Sequence, residues 1–326
     1  MDVNTFKPRS DLSTLHQSVE AIRAEIGKVI AGQHQMIDLL ITGLLTQGHV
    51  LIEGVPGVAK TLTAKLLARC VDADFSRIQF TPDIMPADVL GTSVFNPQSR
   101  EFEYKRGPVF SNLVLIDEIN RAPAKTQAAL FEVMEERQVT NDGITHPLPL
   151  PFMVIATQNP IEQEGTYRLP EAQLDRFLFK IEVKYPELAE EVAMLQAMHQ
   201  HNGIQDITLM VNRVVTATQV LEFQAQVRRI HIEEKLLHYI AALIQETRVN
   251  PSLYLGASPR ASLAVMNCAK AVAAMRDRDF VTPDDIVEML PHVLRHRIML
   301  TPEREMEGIA ADEVIAQIIK AVEVPR

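Results

Sequence analysis

The feature that most constrains this 326-residue chain is a glycine-rich turn between a short apolar run and a helical pattern. Residues 49–53 predict a strand, residues 54–61 a turn and residues 62–69 a helix. Backbone N–H groups converging at a helix N-terminus bind nucleotide phosphates, and glycines let the backbone wrap closely around them. Lys60 would reach the β- and γ-phosphates, and the Thr61 hydroxyl would bind Mg²⁺. The turn therefore predicts a nucleotide site in an α/β fold.

The predicted nucleotide contacts include the whole turn and the first residue after it. They are Gly54, Val55, Pro56, Gly57, Val58, Ala59, Lys60, Thr61 and Leu62. The common pattern has glycine immediately before the lysine, where this chain has alanine. The extra methyl group is tolerable if that residue keeps an ordinary helical φ. Taken alone, the segment could also be a glycine-rich strand–helix turn with an incidental lysine.

A second apolar run, residues 113–116, ends in the carboxylates Asp117 and Glu118. Its continuous apolar character indicates a strand that is buried on both faces. Asp117 is predicted to hold Mg²⁺ through its water shell, and Glu118 to polarise the attacking water. Two acids at a strand end are often only a solvated turn. The lysine–threonine turn upstream favours a hydrolytic site instead.

Three further residues are candidates for this site. Asn159 follows a strand predicted at residues 152–156, so it could orient the water or contact the γ-phosphate at the same sheet edge; the alternative is an Asn-Pro turn. Arg176 is a candidate arginine finger, which in trans would require an oligomer; the alternative is a helix-terminal salt bridge. Arg260 lies near a helix N-terminus, where an external phosphate would offset the unfavourable dipole; the alternative is an ordinary surface arginine.

The order of the predicted elements indicates two domains. Strands, including residues 75–80 and 180–183, alternate with helical patterns, which argues for a parallel sheet covered by helices. Hairpins are predicted within residues 92–104 and 138–150, the second turning at an Asn-Asp-Gly sequence. After about residue 185 the strand pattern ends. We expect an α/β domain over residues 1–185 and an all-helical domain over residues 186–326.

Composition limits the classes of function. A net charge of −10 makes the chain a poor general nucleic-acid binder. Its two cysteines cannot form a disulfide framework and fit a reducing compartment. Residues 1–8 contain no apolar segment typical of a secretory signal, and no apolar run approaches the roughly 20 residues of a membrane span. The expectation is a cytoplasmic protein.

Together these residues resemble the AAA+ ATPases, and residues 117–127 look like the signature of the MoxR family, continuing to residue 140. The resemblance extends from about residue 30 to about residue 297. It implies a five-stranded α/β core with a smaller helical lid, ATP and Mg²⁺ as cofactors, and a homo-oligomeric ring, usually a hexamer. It also implies that residues 29–33, including Gln33, lie beside the adenine through largely backbone contacts. The residues to which it assigns the roles above are Lys60, Thr61, Asp117, Glu118, Asn159, Arg176 and Arg260.

MoxR-like proteins are thought to be chaperones that activate or mature a client protein, often by inserting a metal or cofactor. They commonly work with a partner that carries a von Willebrand factor A domain. Three alternatives stay open: a motor acting on nucleic acid, a nucleotide-gated scaffold without hydrolysis, and a metal-chelatase subunit. The acidic balance disfavours the first, the intact Glu118 and Arg176 disfavour the second, and the 117–127 signature disfavours the third.

A segment rich in histidine and arginine near residue 296 is interpreted as structural. His292 and His296 have i, i+4 spacing but no apparent set of companion ligands for a metal. Arg295 and Arg297 are predicted to form a small basic patch on a solvated or inter-subunit face; the alternative is a contact with nucleic acid.

Overall fold

The computed structural model describes residues 11–160, 167, 169–200 and 206–325. Residues 1–8, for which no signal segment is expected, lie outside the described residues. The strands, in chain order, are β1 (Val50–Gly54), β2 (Phe75–Gln79), β3 (Gly91–Asn96), β4 (Glu101–Arg106), β5 (Leu113–Asp117), β6 (Gln138–Asn141), β7 (Ile144–Pro147), β8 (Met153–Gln158), β9 (Phe179–Val183), β10 (Leu253–Leu255) and β11 (Met299–Leu300).

The helices, again in chain order, are α1 (Ser13–Gly27), α2 (His34–Leu45), α3 (Lys60–Cys70), α4 (Pro86–Leu90), α5 (Ala124–Glu136), α6 (Glu171–Leu174), α7 (Leu188–Gln200), α8 (Ala217–Arg228), α9 (Glu234–Val249), α10 (Pro259–Met275), α11 (Pro283–Leu294), α12 (Pro302–Met306) and α13 (Ala311–Ala321). Within the described ranges, no helix has both the length and the apolar character that a membrane span requires.

Five strands form a parallel sheet in the order β2-β5-β8-β1-β9. All five predicted strands are present, with small shifts at their ends. The interior strand β5 is buried along its whole length, because it is apolar up to Asp117 and helices cover both faces of the sheet. The carboxyl ends of parallel strands meet at one edge, so the loops that follow β1, β2, β5 and β8 are brought together. This edge carries the candidate site.

The two predicted hairpins are confirmed as β3–β4 and β6–β7. They pack against each other through polar and aromatic contacts. The Ser93 hydroxyl donates a 2.5 Å hydrogen bond to Asp142, and the Asn141 amide donates one of 2.7 Å to the Ser93 oxygen. The Tyr104 ring stacks on the His146 ring with 4.6 Å between centroids. The hairpins therefore form one joint projection from the α/β core.

The remainder of the described chain is mainly helical, as expected. Buried residues of α8, α9, α10, α11 and α13 join those of α1, α2 and one face of the sheet in a continuous hydrophobic core. The prediction of an all-helical domain missed one feature, the antiparallel pair β10–β11. Each of these strands is too short for its side chains to produce a readable alternation.

The interpretation of the segment near residue 296 as a solvated or inter-subunit basic face is wrong. Arg297 is only 9% exposed. Its guanidinium donates to the Asp175 carboxylate at 2.7 Å and to several carbonyls, including that of Phe177. Arg295 is also largely buried and pairs with Asp312 at 2.7 Å. A buried charge is tolerated where a carboxylate and hydrogen-bond acceptors surround it, and these partners come from distant parts of the chain.

Candidate active site

The glycine-rich turn connects β1 to α3 as predicted. Gly57 has φ = 88°, a conformation that glycine adopts without steric cost. The Lys60 ammonium group donates a short hydrogen bond to the Gly54 carbonyl and lies 3.5 Å from the Gln158 carbonyl. These contacts fold the lysine back across the turn. The turn therefore collects an ammonium group and the N-terminus of α3 at the edge of the sheet.

Ala59 does not have the helical φ on which its tolerance was predicted to depend. It adopts φ = 59° and ψ = 20°, in the left-handed region. This conformation costs a non-glycine residue about 1–2 kcal/mol. The Ala59 carbonyl accepts hydrogen bonds from the Thr63 amide at 2.9 Å and the Thr63 hydroxyl at 3.0 Å. These bonds hold the strained residue at the start of α3.

Asp117 lies at the end of β5, almost fully buried among polar partners. One carboxylate oxygen accepts hydrogen bonds from the Thr61 hydroxyl at 3.2 Å and the Thr157 hydroxyl at 3.0 Å. The other oxygen lies 2.6 Å from Nε of Arg77. The carboxylate is therefore held beside the predicted Mg²⁺ ligand Thr61.

Glu118 follows with φ = 57°, again left-handed. Such strain in a non-glycine residue is concentrated at functional sites in proteins. Its amide donates to the Thr157 hydroxyl at 3.1 Å. Its Oε2 accepts a 2.7 Å hydrogen bond from the Gln79 amide and lies 3.3 Å from Nε of Arg121. The backbone turn and these contacts aim the carboxylate into the same edge of the sheet as Asp117.

These groups surround a cavity of about 470 Å³. The predicted site residues that line it are Pro56, Gly57, Ala59, Lys60, Thr61, Leu62, Asp117, Glu118 and Asn159. The side chains of Val55 and Val58 instead pack on the hydrophobic core, and Gly54 contributes its carbonyl to Lys60. The structure thus brings both sequence motifs and Asn159 into one cavity.

Gln33 does not line this cavity. It begins α2 with φ = 55°, and its side chain donates a 3.4 Å hydrogen bond to the Lys184 carbonyl. Lys184 follows Val183, the register partner of Gly54. Gln33 is therefore close to the start of the glycine-rich turn, and its contact with adenine stays a prediction.

Arg176 and Arg260 lie together, but away from this cavity. Both bind Glu135 on α5: Arg176 Nη1 is 2.9 Å from Oε2, and Arg260 Nη2 is 2.8 Å from Oε1. Arg176 Nη1 also donates to the Phe131 carbonyl at 2.7 Å. Arg176 lines a second cavity of about 350 Å³ along α5. Both arginines therefore form salt bridges in this structure, and their catalytic roles stay predictions.

Comparison with known proteins agrees with this geometry. The model of the AAA family, ATPases associated with various cellular activities, matches residues 49–179, and that of the AAA lid domain matches residues 245–318. The chain is 44% identical to the chaperone MoxR1 of Mycobacterium tuberculosis over 93% of its own length and 81% of the relative's.

The chain belongs to the MoxR family of AAA+ ATPases.

Two further relatives cover nearly the whole of this MoxR-family chain. The uncharacterized protein YeaC of Bacillus subtilis is 46% identical over 95% of this chain and 96% of its own. A crystal structure from Cytophaga hutchinsonii, provisionally described as an ATPase, superimposes with a TM-score of 0.88 at 43% identity, covering 96% of this chain and 97% of that one. The five-stranded core and the helical lid are thus the fold of this family.

The oxygen donors of the cavity fit a magnesium ion that arrives with a nucleotide. The Thr61 hydroxyl and one Asp117 oxygen are 3.2 Å apart. Nowhere in the described residues do three or more His, Cys, Asp or Glu side chains cluster as a metal site. Mg²⁺ is usually held by one or two carboxylates together with substrate phosphates. The Thr61 hydroxyl and the Asp117 carboxylate therefore fit the protein ligands of such a site.

Sequence reasoning missed four residues that line the cavity: Arg77, Gln79, Thr157 and Gln158. Gln79 is the register partner of Asp117 on the neighbouring strand β2. Polar residues at the carboxyl ends of predicted strands were the available signal, since those ends converge in a parallel sheet. The sequence does not say which strands are neighbours, so the contacts with Asp117 and Glu118 could not be assigned.

Two histidines, His49 and His296, are buried in the fold. His49, just before β1, accepts a 2.9 Å hydrogen bond from the Val154 amide at Nδ1, and its Nε2 is 3.0 Å from the Met134 carbonyl. Burial lowers the pKa of His49 to about 4. His296 Nε2 lies 3.0 Å from the Phe177 carbonyl, and burial together with a neighbouring arginine lowers the His296 pKa well below its usual value. Both rings are therefore neutral packing groups.

Proposed function

We propose that this chain hydrolyses ATP with Mg²⁺ in a homo-oligomeric ring, a hexamer as is usual for the family, and uses the energy to remodel a client protein. The cavity that contains the glycine-rich turn, Asp117 and Glu118 is called the phosphate cavity below. The observation that carries this proposal is that Arg176 and Arg260 do not line the phosphate cavity but bind Glu135 instead. The two arginines beside the site's carboxylates are already bound, Arg77 to Asp117 and Arg121 to Glu118. A cation for the transition state would therefore come from an adjoining subunit.

The two sequence motifs in the cavity have separate tasks in this reaction. The amides of the turn and Lys60 would bind the phosphates, and Thr61 and Asp117 would hold the metal. A metal held there would supply positive charge against the phosphate oxygens. Glu118 takes a proton from the water whose oxygen bonds to the γ-phosphorus as the bond to the β,γ-bridging oxygen breaks, leaving ADP and phosphate. Gln79 and Arg121 both contact Oε2, so the carboxylate can be held by one oxygen while the other receives the proton.

The client role is supported by the family and by the name of the M. tuberculosis relative, a chaperone. We infer that the nucleotide lies between the α/β core and the helical domain, with the boundary near residue 185. Hydrolysis would then change the angle between the two domains and move a bound client. A partner with a von Willebrand factor A domain, and metal or cofactor insertion into the client, are parts of the proposal that rest on the resemblance alone.

The first test is ATP turnover by the purified protein with and without Mg²⁺, beside the Glu118→Gln variant. We expect the variant to lose about 10²–10⁴-fold in turnover, because the amide cannot accept the proton from water. Molar mass measured with and without ATP should show assembly in both proteins. Equal turnover in the two proteins would reject Glu118 as the base.

Two additional measurements separate the alternatives. If single- or double-stranded DNA or RNA stimulated turnover in a salt-dependent manner, a nucleic-acid motor would be the better assignment. If the unmodified protein bound ATP and assembled without turnover, adding a candidate partner with a von Willebrand factor A domain would distinguish a scaffold from an ATPase that needs activation.

A further inference from the structure

Glu135 binds Arg176 and Arg260 at the same time, one guanidinium on each carboxylate oxygen. It lies in the last turn of α5, a helix that ends in Glu135 and Glu136. Carboxylates near a helix C-terminus oppose the helix dipole, so this position does not stabilise α5. The contact with the arginines is a better reason for a carboxylate here than the helix itself.

Glu135 is not needed to bring the two arginines together. Asp175, the residue before Arg176, accepts a 3.1 Å hydrogen bond from the Ser258 hydroxyl, two residues before Arg260. The same carboxylate binds the buried Arg297 at 2.7 Å. This network joins the chain segment ahead of Arg176 to the start of α10. The backbones that carry the two arginines are thus fixed independently of Glu135.

The ion pairs of Glu135 are also exchangeable. The side chains of Arg176, Arg260 and Glu135 are 31%, 54% and 41% exposed. Ion pairs with this exposure contribute little, because water and salt screen them. A phosphate group offers more charge and an additional oxygen, and guanidinium groups bind phosphate oxygens well. A phosphate that reaches this pair would therefore replace the carboxylate.

We propose that Glu135 is an internal counter-ion, which occupies the arginine pair until nucleotide phosphates on an adjoining subunit displace it. This inference rests on the proposed ring, in which both arginines face a neighbouring site. Arg176 keeps its 2.7 Å hydrogen bond to the Phe131 carbonyl during the exchange, so it stays close to its position. Glu135 thereby raises the ATP concentration at which subunits assemble and limits assembly to subunits that carry nucleotide.

The test uses the full chain with Glu135→Gln, which keeps the size of the side chain but removes its charge. Assembly is followed by light scattering against the concentration of ATP or of a non-hydrolysable ATP analogue, with Mg²⁺. We expect the nucleotide concentration at half-maximal assembly, the midpoint, to fall about 3- to 10-fold, as for the loss of two exposed ion pairs. The matched control is Glu136→Gln, which removes the same charge from the same helix. In the described part of the chain Glu136 pairs with neither arginine, so its midpoint should not move.

An unchanged or higher midpoint for Glu135→Gln, or an equal fall for Glu136→Gln, would overturn the counter-ion role. Arg176→Ala separates this failure from failure of the ring. If the unmodified protein assembles and Arg176→Ala does not, the proposed ring stands whatever Glu135→Gln does. If the unmodified protein does not assemble with either nucleotide, the ring and the counter-ion are both rejected.

Discussion

The phosphate cavity and the arginine pair are built in opposite ways. The cavity is formed by loops at one edge of a single sheet, with Asp117 buried and with Ala59 and Glu118 held in left-handed conformations. The arginine pair comes from two domains and is bound at the surface by one exposed carboxylate. Strain and burial fix groups that must not move during chemistry. Weak surface pairs suit groups that exchange partners when subunits meet.

Replacing Arg176 by alanine gives the largest expected effect. It tests directly whether the arginine pair acts separately from the phosphate cavity of its own chain. Turnover should fall about 10³-fold, because a finger supplied in trans stabilises the charge of the transition state. ATP binding to the isolated subunit should not change, since Arg176 does not line the phosphate cavity. Steady-state kinetics measures the turnover, and a titration at low protein concentration measures ATP binding to the isolated subunit. Arg229→Ala, at an exposed arginine in the helical domain, is the control. Weakened binding in the isolated subunit would mean that Arg176 acts within its own chain.

Acid should weaken the fold through its buried histidines. The pKa of His49 is about 4 in the folded protein, against about 6.5 when unfolded. Below pH 6.5 the unfolded chain therefore takes up a proton that the folded chain refuses, and stability falls until pH 4. His49 alone should remove about 2 kcal/mol from the unfolding free energy between pH 7 and pH 5. Urea unfolding at the two pH values measures this loss.

The variant His49→Gln isolates that histidine, whatever its own stability. Between pH 7 and pH 5 the unfolding free energy of the variant should fall by about 2 kcal/mol less than that of the unmodified protein. The rest of the loss in unfolding free energy would include the contribution of His296, which lies between Arg295 and Arg297. An equal loss in both proteins would show that His49 takes up its proton in the folded state.

The smallest expected effect comes from Ala59→Gly. Relief of the left-handed conformation should add about 1–2 kcal/mol to the free energy of unfolding. The greater freedom of glycine in the unfolded chain should subtract about 0.4–1 kcal/mol from it. We expect a net gain of about 1 kcal/mol in urea unfolding. Ala128→Gly, the same exchange at an exposed position in α5, should cost about 1 kcal/mol. A loss in both variants would show that Ala59 is unstrained in solution.

The sequence predicted the five sheet strands, both hairpins and the two motifs that meet in one cavity. These features depend on adjacent residues, such as the glycine-rich turn that begins α3 or the apolar run that ends at Asp117. The helical φ on which the tolerance of Ala59 was predicted to depend is not observed, and the predicted exposure of Arg297 was wrong. In both cases the local pattern is ordinary, and the conformation or burial depends on partners elsewhere, such as Thr63 in the next turn and Asp175 far along the chain.

The sequence by itself determined which chemical groups are available: a glycine-rich turn with a lysine, two carboxylates at a strand end and two candidate arginines. Only the tertiary structure decided which of them meet. The strand order sets Gln79 beside Asp117, and the packing of the helical domain sets Arg260 beside Arg176 and Glu135. The physical reason is that backbone conformation responds mainly to neighbouring residues, whereas contacts between distant segments follow from burying many apolar surfaces in one core.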